Sequence, residues 1–142
     1  MTNNFINVAF DSASLGAITN LARFGAFLEP EMGAAMSQIG DIIVQAAVAN
    51  TWAVFEAPTG ALADSIRAIL DGPMAVEVGS DSPYAARREF GFSGQTDSRG
   101  RFYANDPAKP YLTPALEQNS DQILQVMGLA TAEAFAKMGV PL

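Results

Sequence analysis

From Glu31 to Phe55 the residues Met32, Met36, Ile39, Ile43, Ala46, Ala47, Asn50 and Val54 recur every three or four positions. At 3.6 residues per turn they form one broad stripe, with Gln38, Asp41 and Gln45 on the opposite side. The spacing predicts the core helix of the domain. Glu29-Pro30-Glu31 marks its start, because proline suits a first helical turn and acidic side chains favour the positive end of the helix dipole. The uncharged run Ile42 to Phe55 contains Gln45, Asn50 and Thr51 and falls short of the roughly 20 apolar residues of a membrane span, so it reads as a buried helix. Near its end the polar side turns apolar at Val48 and Trp52. Trp52 is expected either to be covered by the sheet or the last helix, or to make a subunit contact.

The other elements are lighter. Phe5 to Phe10 reads as a short strand. Leu15, Ile18, Leu21, Ala22, Phe24, Phe27 and Leu28 predict a separate amphipathic helix from Ser14, its N-cap, to Leu28. After Pro58-Thr59-Gly60, one helical turn over 60–64 leads into a hairpin of strands 65–71 and 73–79 around Gly72-Pro73. Pro83 opens a short helix carrying Tyr84, Arg87 and Arg88. Thr113-Pro114 starts the last helix with a capping hydroxyl, and Leu116, Ile123, Met127, Ala130, Ala134 and Met138 run down one side. Together these predict a single α+β domain over 1–142. Its parts are an N-terminal strand and helix (1–28), a core helix (31–56), a β-hairpin (62–80), an extended arm (91–106) and a C-terminal helix (113–138). The small antiparallel sheet packs against two or three helices.

The densest unusual chemistry lies between Ser82 and Leu116. Two proline-tyrosine pairs, Pro83-Tyr84 and Pro110-Tyr111, bracket a glycine-punctuated polar segment that reads as an exposed loop or loose hairpin. Arg87, Arg88, Arg99, Arg101 and Lys109 lie here, out of 8 basic residues in a chain of net charge −7. Phe90, Phe92, Phe102 and Tyr103 sit among them, a composition enriched in protein interfaces and in single-strand nucleic-acid binding. The acidity of the rest argues against gripping phosphates and favours a protein partner.

Catalytic readings are narrow. With 0 cysteine and 0 histidine, thiol nucleophiles, imidazole bases and zinc sites on those ligands are excluded. Ser93, Thr96 and Ser98 have no such base to activate them. The glycines at 60, 91, 94 and 100 match neither a phosphate loop nor a dinucleotide turn. Glu89, with Asp97 or Asp106 as second acid, is the one acid-pair candidate, and local ion pairing with Arg87 and Arg88 or a subunit contact explains it better. No catalytic, cofactor-binding or metal-binding residue is expected. The start Met1-Thr2-Asn3-Asn4-Phe5 lacks the basic and apolar regions of a signal peptide, so folding in a cytoplasm is expected.

One ordered set of motifs is recognisable: Pro58-Thr59-Gly60 with Leu62 and Ser65-Ile66, Val78-Gly79, Pro83-Tyr84-Ala85, Glu89-Phe90-Gly91, Lys109-Pro110-Tyr111-Leu112 and Pro114-Ala115-Leu116. Over residues 31–130 this resembles the neck or tail-completion family of long-tailed bacteriophages, similar to minor tail proteins that join heads to tails. The chain departs from the pattern in its longer 92–108 segment and in residues 1–28, which have no clear counterpart. The resemblance implies a non-enzymatic virion protein of the neck and tail, assembled in the host cytoplasm. It would form a hexameric ring between the head-closure or connector proteins and the tail-terminator or tail-tube proteins. DNA would pass without specific binding, and neither cofactor nor membrane is implied. Trp52, Arg87, Arg88, Glu89, Phe90, Phe92, Arg99, Arg101, Phe102 and Tyr103 become candidate subunit or partner contacts. Asp41 becomes a lumen-facing acid, and the arm and N-terminal strand become elements added to neighbouring subunits. A tail-terminator ring, an acidic protein-binding module and, last, a carboxylate-based enzyme are the other readings.

Overall fold

The computed structural model describes residues 4–9, 22–55 and 60–139. Helix α1, Ala22–Val54, is the element on which most of the core packs. Phe24, Leu28, Met32, Ala35, Met36, Ile39, Ile43 and Ala47 form one buried stripe along it, while Gln38, Asp41 and Gln45 are exposed. The expected break at Glu29-Pro30-Glu31 is absent: Pro30 lies inside α1. Proline removes one hydrogen bond and crowds the preceding turn. Burial of Phe24 and Leu28 on one side of Pro30 and of Met32 and Met36 on the other keeps the helix continuous. The expected helix from Ser14 therefore merges with the core helix over 22–28, and its beginning lies outside the described residues, as do Phe10 and Pro58-Thr59. With the break gone, Phe24–Val54 is long and apolar enough to cross a membrane by length and composition, unlike the shorter run read from sequence.

After α1 come α2, Ala61–Ser65, and the hairpin of β2, Arg67–Leu70, and β3, Ala75–Gly79. Strand β1, Phe5–Ala9, completes an antiparallel sheet in the order β1-β3-β2. In this register Ile6 and Ala68 flank Val78, and Val8 pairs with Val76, giving an apolar face; β2 and β3 pack on α1. The N-terminal strand pairs with β3 of its own chain and forms one edge of the sheet. Phe5 pairs with Gly79, where a Cβ would stand 2.2 Å from the Asn4 carbonyl oxygen and 2.6 Å from Phe5 Cα. Only glycine lets β1 close on β3 there. Buried Ser80 then meets Ser65, Oγ to Oγ at 2.6 Å, fixing the end of β3 against α2.

Helix α3, Ala85–Phe90, follows Pro83. The C-terminal helix is two helices, α4, Leu112–Gln118, and α5, Ser120–Lys137, jointed at Asn119. Ile123, Val126, Ala130 and Ala134 bury one side of α5 against α1, Phe135 meets Phe24 at 4.5 Å, and Lys137 pairs with Glu31. The architecture is α+β, with a second, two-stranded antiparallel sheet in the arm.

Candidate functional site: a braced hairpin arm

The arm begins and ends at one buried carboxylate. Glu89, on α3, is 7% exposed, and its Oε2 accepts the backbone N–H groups of Tyr111 at 2.9 Å and Leu112 at 3.0 Å. Its Oε1 accepts the N–H of Thr113 at 2.9 Å. Burial pushes the Glu89 carboxyl up; the Thr113 hydroxyl and these N–H groups outweigh it and hold the carboxyl below its ordinary value. Glu89 therefore caps α4 from across the chain, where the sequence predicted a cap by Thr113 and ion pairing with Arg87 and Arg88. The tyrosine has no side-chain partner role in that cap, yet its own carbonyl accepts Asn50 Nδ2 at 3.0 Å, and its ring meets Phe55 edge-on at 6.4 Å.

Both arginines turn elsewhere. Arg88 lies over the Phe55 ring at 5.3 Å, and its carbonyl accepts the Lys109 N–H at 2.7 Å. Arg87 Nε donates to Asp106 Oδ2 at 2.6 Å, and its guanidinium lies 4.0 Å from the Tyr103 ring centre and 4.9 Å from that of Phe92. Phe92 and Tyr103 meet edge-on at 5.6 Å. This clasp gathers three of the candidate contact residues, Arg87, Phe92 and Tyr103, into the root of the arm, while Arg88 stands apart on Phe55.

Beyond the clasp the segment is a true hairpin. Phe92 N–H donates to the Asp106 carbonyl and Gly94 N–H to that of Tyr103, each at 2.7 Å. Strand β4, Gln95–Thr96, then pairs with β5, Phe102–Tyr103. Asp97 organises the turn: Oδ1 accepts the N–H groups of Arg99 and Arg101, each at 2.9 Å, while Oδ2 accepts Arg101 Nε at 2.8 Å and the Tyr103 hydroxyl at 3.1 Å. The Arg101 N–H leads the bonds that hold the Asp97 carboxyl at about 2. Gly100, at φ 78, supplies the left-handed residue that a three-residue hairpin loop needs. Asp97 was missed as an organiser, although aspartate three residues before such a glycine is a turn signal.

The remaining candidates stay on the surface. Phe90 is 63% and Phe102 65% exposed, and Arg99 and Arg101 are exposed at the tip. Trp52 is 52% exposed, so neither the sheet nor α5 covers it in the way the sequence suggested. Asp41 stands exposed on α1. Of the proposed acid pair, Glu89 is occupied by backbone, Asp97 by its turn and Asp106 by Arg87, so each holds chain geometry. Among the described residues, no group of three carboxylates is placed to hold a metal ion. A cleft of about 40 Å³ lies between β1, α3 and the start of α4, lined by Asn4, Phe5, Glu89, Phe90 and Tyr111, and Asn4 Oδ1 is buried there with no hydrogen-bond partner. Its volume suits water-sized occupants only.

Compared with known protein families, curated proteins and solved structures, the chain matches none.

Proposed function

We propose that this chain is a structural protein of the neck or tail junction of a long-tailed bacteriophage, a subunit of a hexameric ring that joins the head connector to the tail and lets DNA pass. The observation that supports this most is the bracing of the arm. The two motifs at its root, Glu89-Phe90-Gly91 and Lys109-Pro110-Tyr111-Leu112, form one unit through the Glu89 carboxylate, and the hairpin between them leaves its tip exposed. A preformed hairpin loses little conformational entropy on docking, which suits a joint that must form once and hold. In a ring, each subunit presents one surface to its neighbour and receives a different one, and the contact closes by rotation.

Charge favours the same reading. A net charge of −7 repels phosphates, so a passage lined by the α1 face of Gln38, Asp41 and Gln45 would let DNA slide without capture. The chemistry is non-enzymatic, since the carboxylates nearest the arm are spent on holding it. Head-closure and tail-terminator or tail-tube proteins are the neighbours this reading requires.

Locating and counting the chain in intact particles tests the reading: copies around the axis between head and tail support it. A position capping the tail tube would make it a terminator ring, and absence from virions would leave an acidic protein-binding module. Replacing residues 92–104 with a short Gly-Ser linker is expected to leave a folded chain whose heads and tails fail to join. Normal joining would remove the arm from the function.

A further inference from the structure

We infer that the tip of the arm docks onto a second copy of this chain, at the surface shared by Trp52, Gly60 and Asp64, with Arg99 and Phe102 of one copy against Trp52 and Asp64 of the next. The inference rests on the ring reading for its closure, while the contact itself needs only two copies.

The donor surface is the exposed tip. Phe102 is 65% exposed, and Asp97, the acid nearest Arg99, is committed to the turn and to Arg101. Arg99 enters none of the ion pairs or ring contacts found among the described residues. The other arginines of the described side chains differ: Arg67 lies over Phe5, Arg87 over Tyr103, Arg88 over Phe55, and Arg101 pairs with Asp97. Among the described side chains, Arg99 is thus the arginine lacking a carboxylate or an aromatic face.

The receiving surface carries both. Trp52 Cη2 lies 3.4 Å, and Asp64 Oδ2 3.9 Å, from where a Cβ at Gly60 would stand, so indole and carboxylate flank this one glycine. Trp52 is 52% exposed and takes part in no ring or cation contact among the described residues. Indole is the best aromatic face for a cation, and Trp and Arg dominate the energetics of protein interfaces. Charge complementarity selects a second copy as occupant. The stretch 87–109, which includes the arm, is the basic part of the chain, and outside it acidic side chains far outnumber Arg23, Arg67 and Lys137. A tip meeting a different surface on the next copy is a heterologous contact, the kind that builds rings.

The chain has 0 cysteines, so paired cysteines report proximity without background. Ser98→Cys with Ala61→Cys in one chain, which leaves Arg99 and Asp64 in place beside them, treated with an oxidant at high protein concentration, is expected to give a ladder of covalent oligomers. The two single variants mixed should stop at dimers. Adding Trp52→Ala should lower the yield about tenfold with an unchanged circular dichroism spectrum. In otherwise native chains, Arg99→Asp or Asp64→Arg alone should abolish association and the two together restore it. The control pair is Ser98→Cys with Asp121→Cys, beside the exposed Leu124 of α5. Equal yields from the two pairs, or no covalent oligomer at any concentration, would overturn the docking. Rings seen without the disulfide sink the docking and leave the ring reading intact; a ladder from a protein that particle imaging places outside a phage neck does the reverse.

Discussion

Glu89 holds Tyr111 in two ways. Its Oε2 accepts the Tyr111 N–H at 2.9 Å, and its charge adds to burial in pushing the Tyr111 hydroxyl up to about 12. The residues are 22 apart in sequence, so this one contact turns everything between them into a closed excursion from the core.

Removing the carboxylate should loosen that closure. Glu89→Ala leaves three N–H groups without their acceptor, and an unsatisfied buried donor costs about 1–3 kcal/mol, so urea unfolding is expected to show a loss of about 3 kcal/mol or more. Glu89→Gln keeps an acceptor oxygen and should fall between the two. Equal midpoints for all three proteins would rule out the cap.

Acid should act through the same group. Its folded value lies below the ordinary 4.5, so the protonated form binds less well to the native state. The stability it contributes is fully present above that ordinary value and is lost as pH falls through the lower folded one. The urea midpoint of the native chain should decline below about pH 4.5, and that decline should flatten in Glu89→Gln. Asp97, held at about 2 from an ordinary 3.8, keeps the turn intact further into acid, read by amide exchange at Arg99 and Arg101. At the alkaline end, Tyr111 contributes stability below its ordinary 10.0 that fades as pH rises toward about 12.

The clasp predicts that a lysine will not replace an arginine. Arg87 combines an Asp106 hydrogen bond with stacking on Tyr103 and Phe92, which a point charge on a flexible stem cannot reproduce. Arg87→Lys should cost about 1 kcal/mol. The loss should be local: faster amide exchange at Phe92 and Gly94, with the amides of α1 unchanged. Uniform acceleration across the protein would show the clasp to be part of the core.

Pro30 should be a site of easy gain. Pro30→Ala restores the missing N–H and relieves crowding in the preceding turn, and is expected to raise stability by about 1–3 kcal/mol in urea unfolding. A loss would mean that the helix bends there to follow the sheet and α5.

The sequence made local features legible and hid those set at a distance. The hairpin around Gly72-Pro73, the helix after Pro83 and the buried stripe of α5 follow from turn chemistry and periodicity, which act over a few residues. Pro30 misled because its local signal was outweighed by a stripe running from Phe24 to Ala47. Thr113 misled because the cap came from Glu89, 24 positions away, and nothing near Thr113 announces it. The arginines beside Glu89 suggested an ion pair, but a helix turns adjacent side chains apart, and Arg87 and Arg88 found aromatic rings instead. The arm read as an exposed loop or a loose hairpin; that it is a paired hairpin, with a structural root and an exposed tip, needed coordinates.

The hairpin carries its own turn, closed by Asp97 and Gly100, while its footing is secured by Glu89 and Arg87. Substitutions at Ser98, Arg99 and Phe102 are therefore nearly invisible to folding, and selection on them would act through whatever they grip. A lineage changing its counterpart could rewrite that patch in a few steps while the scaffold beneath stays put.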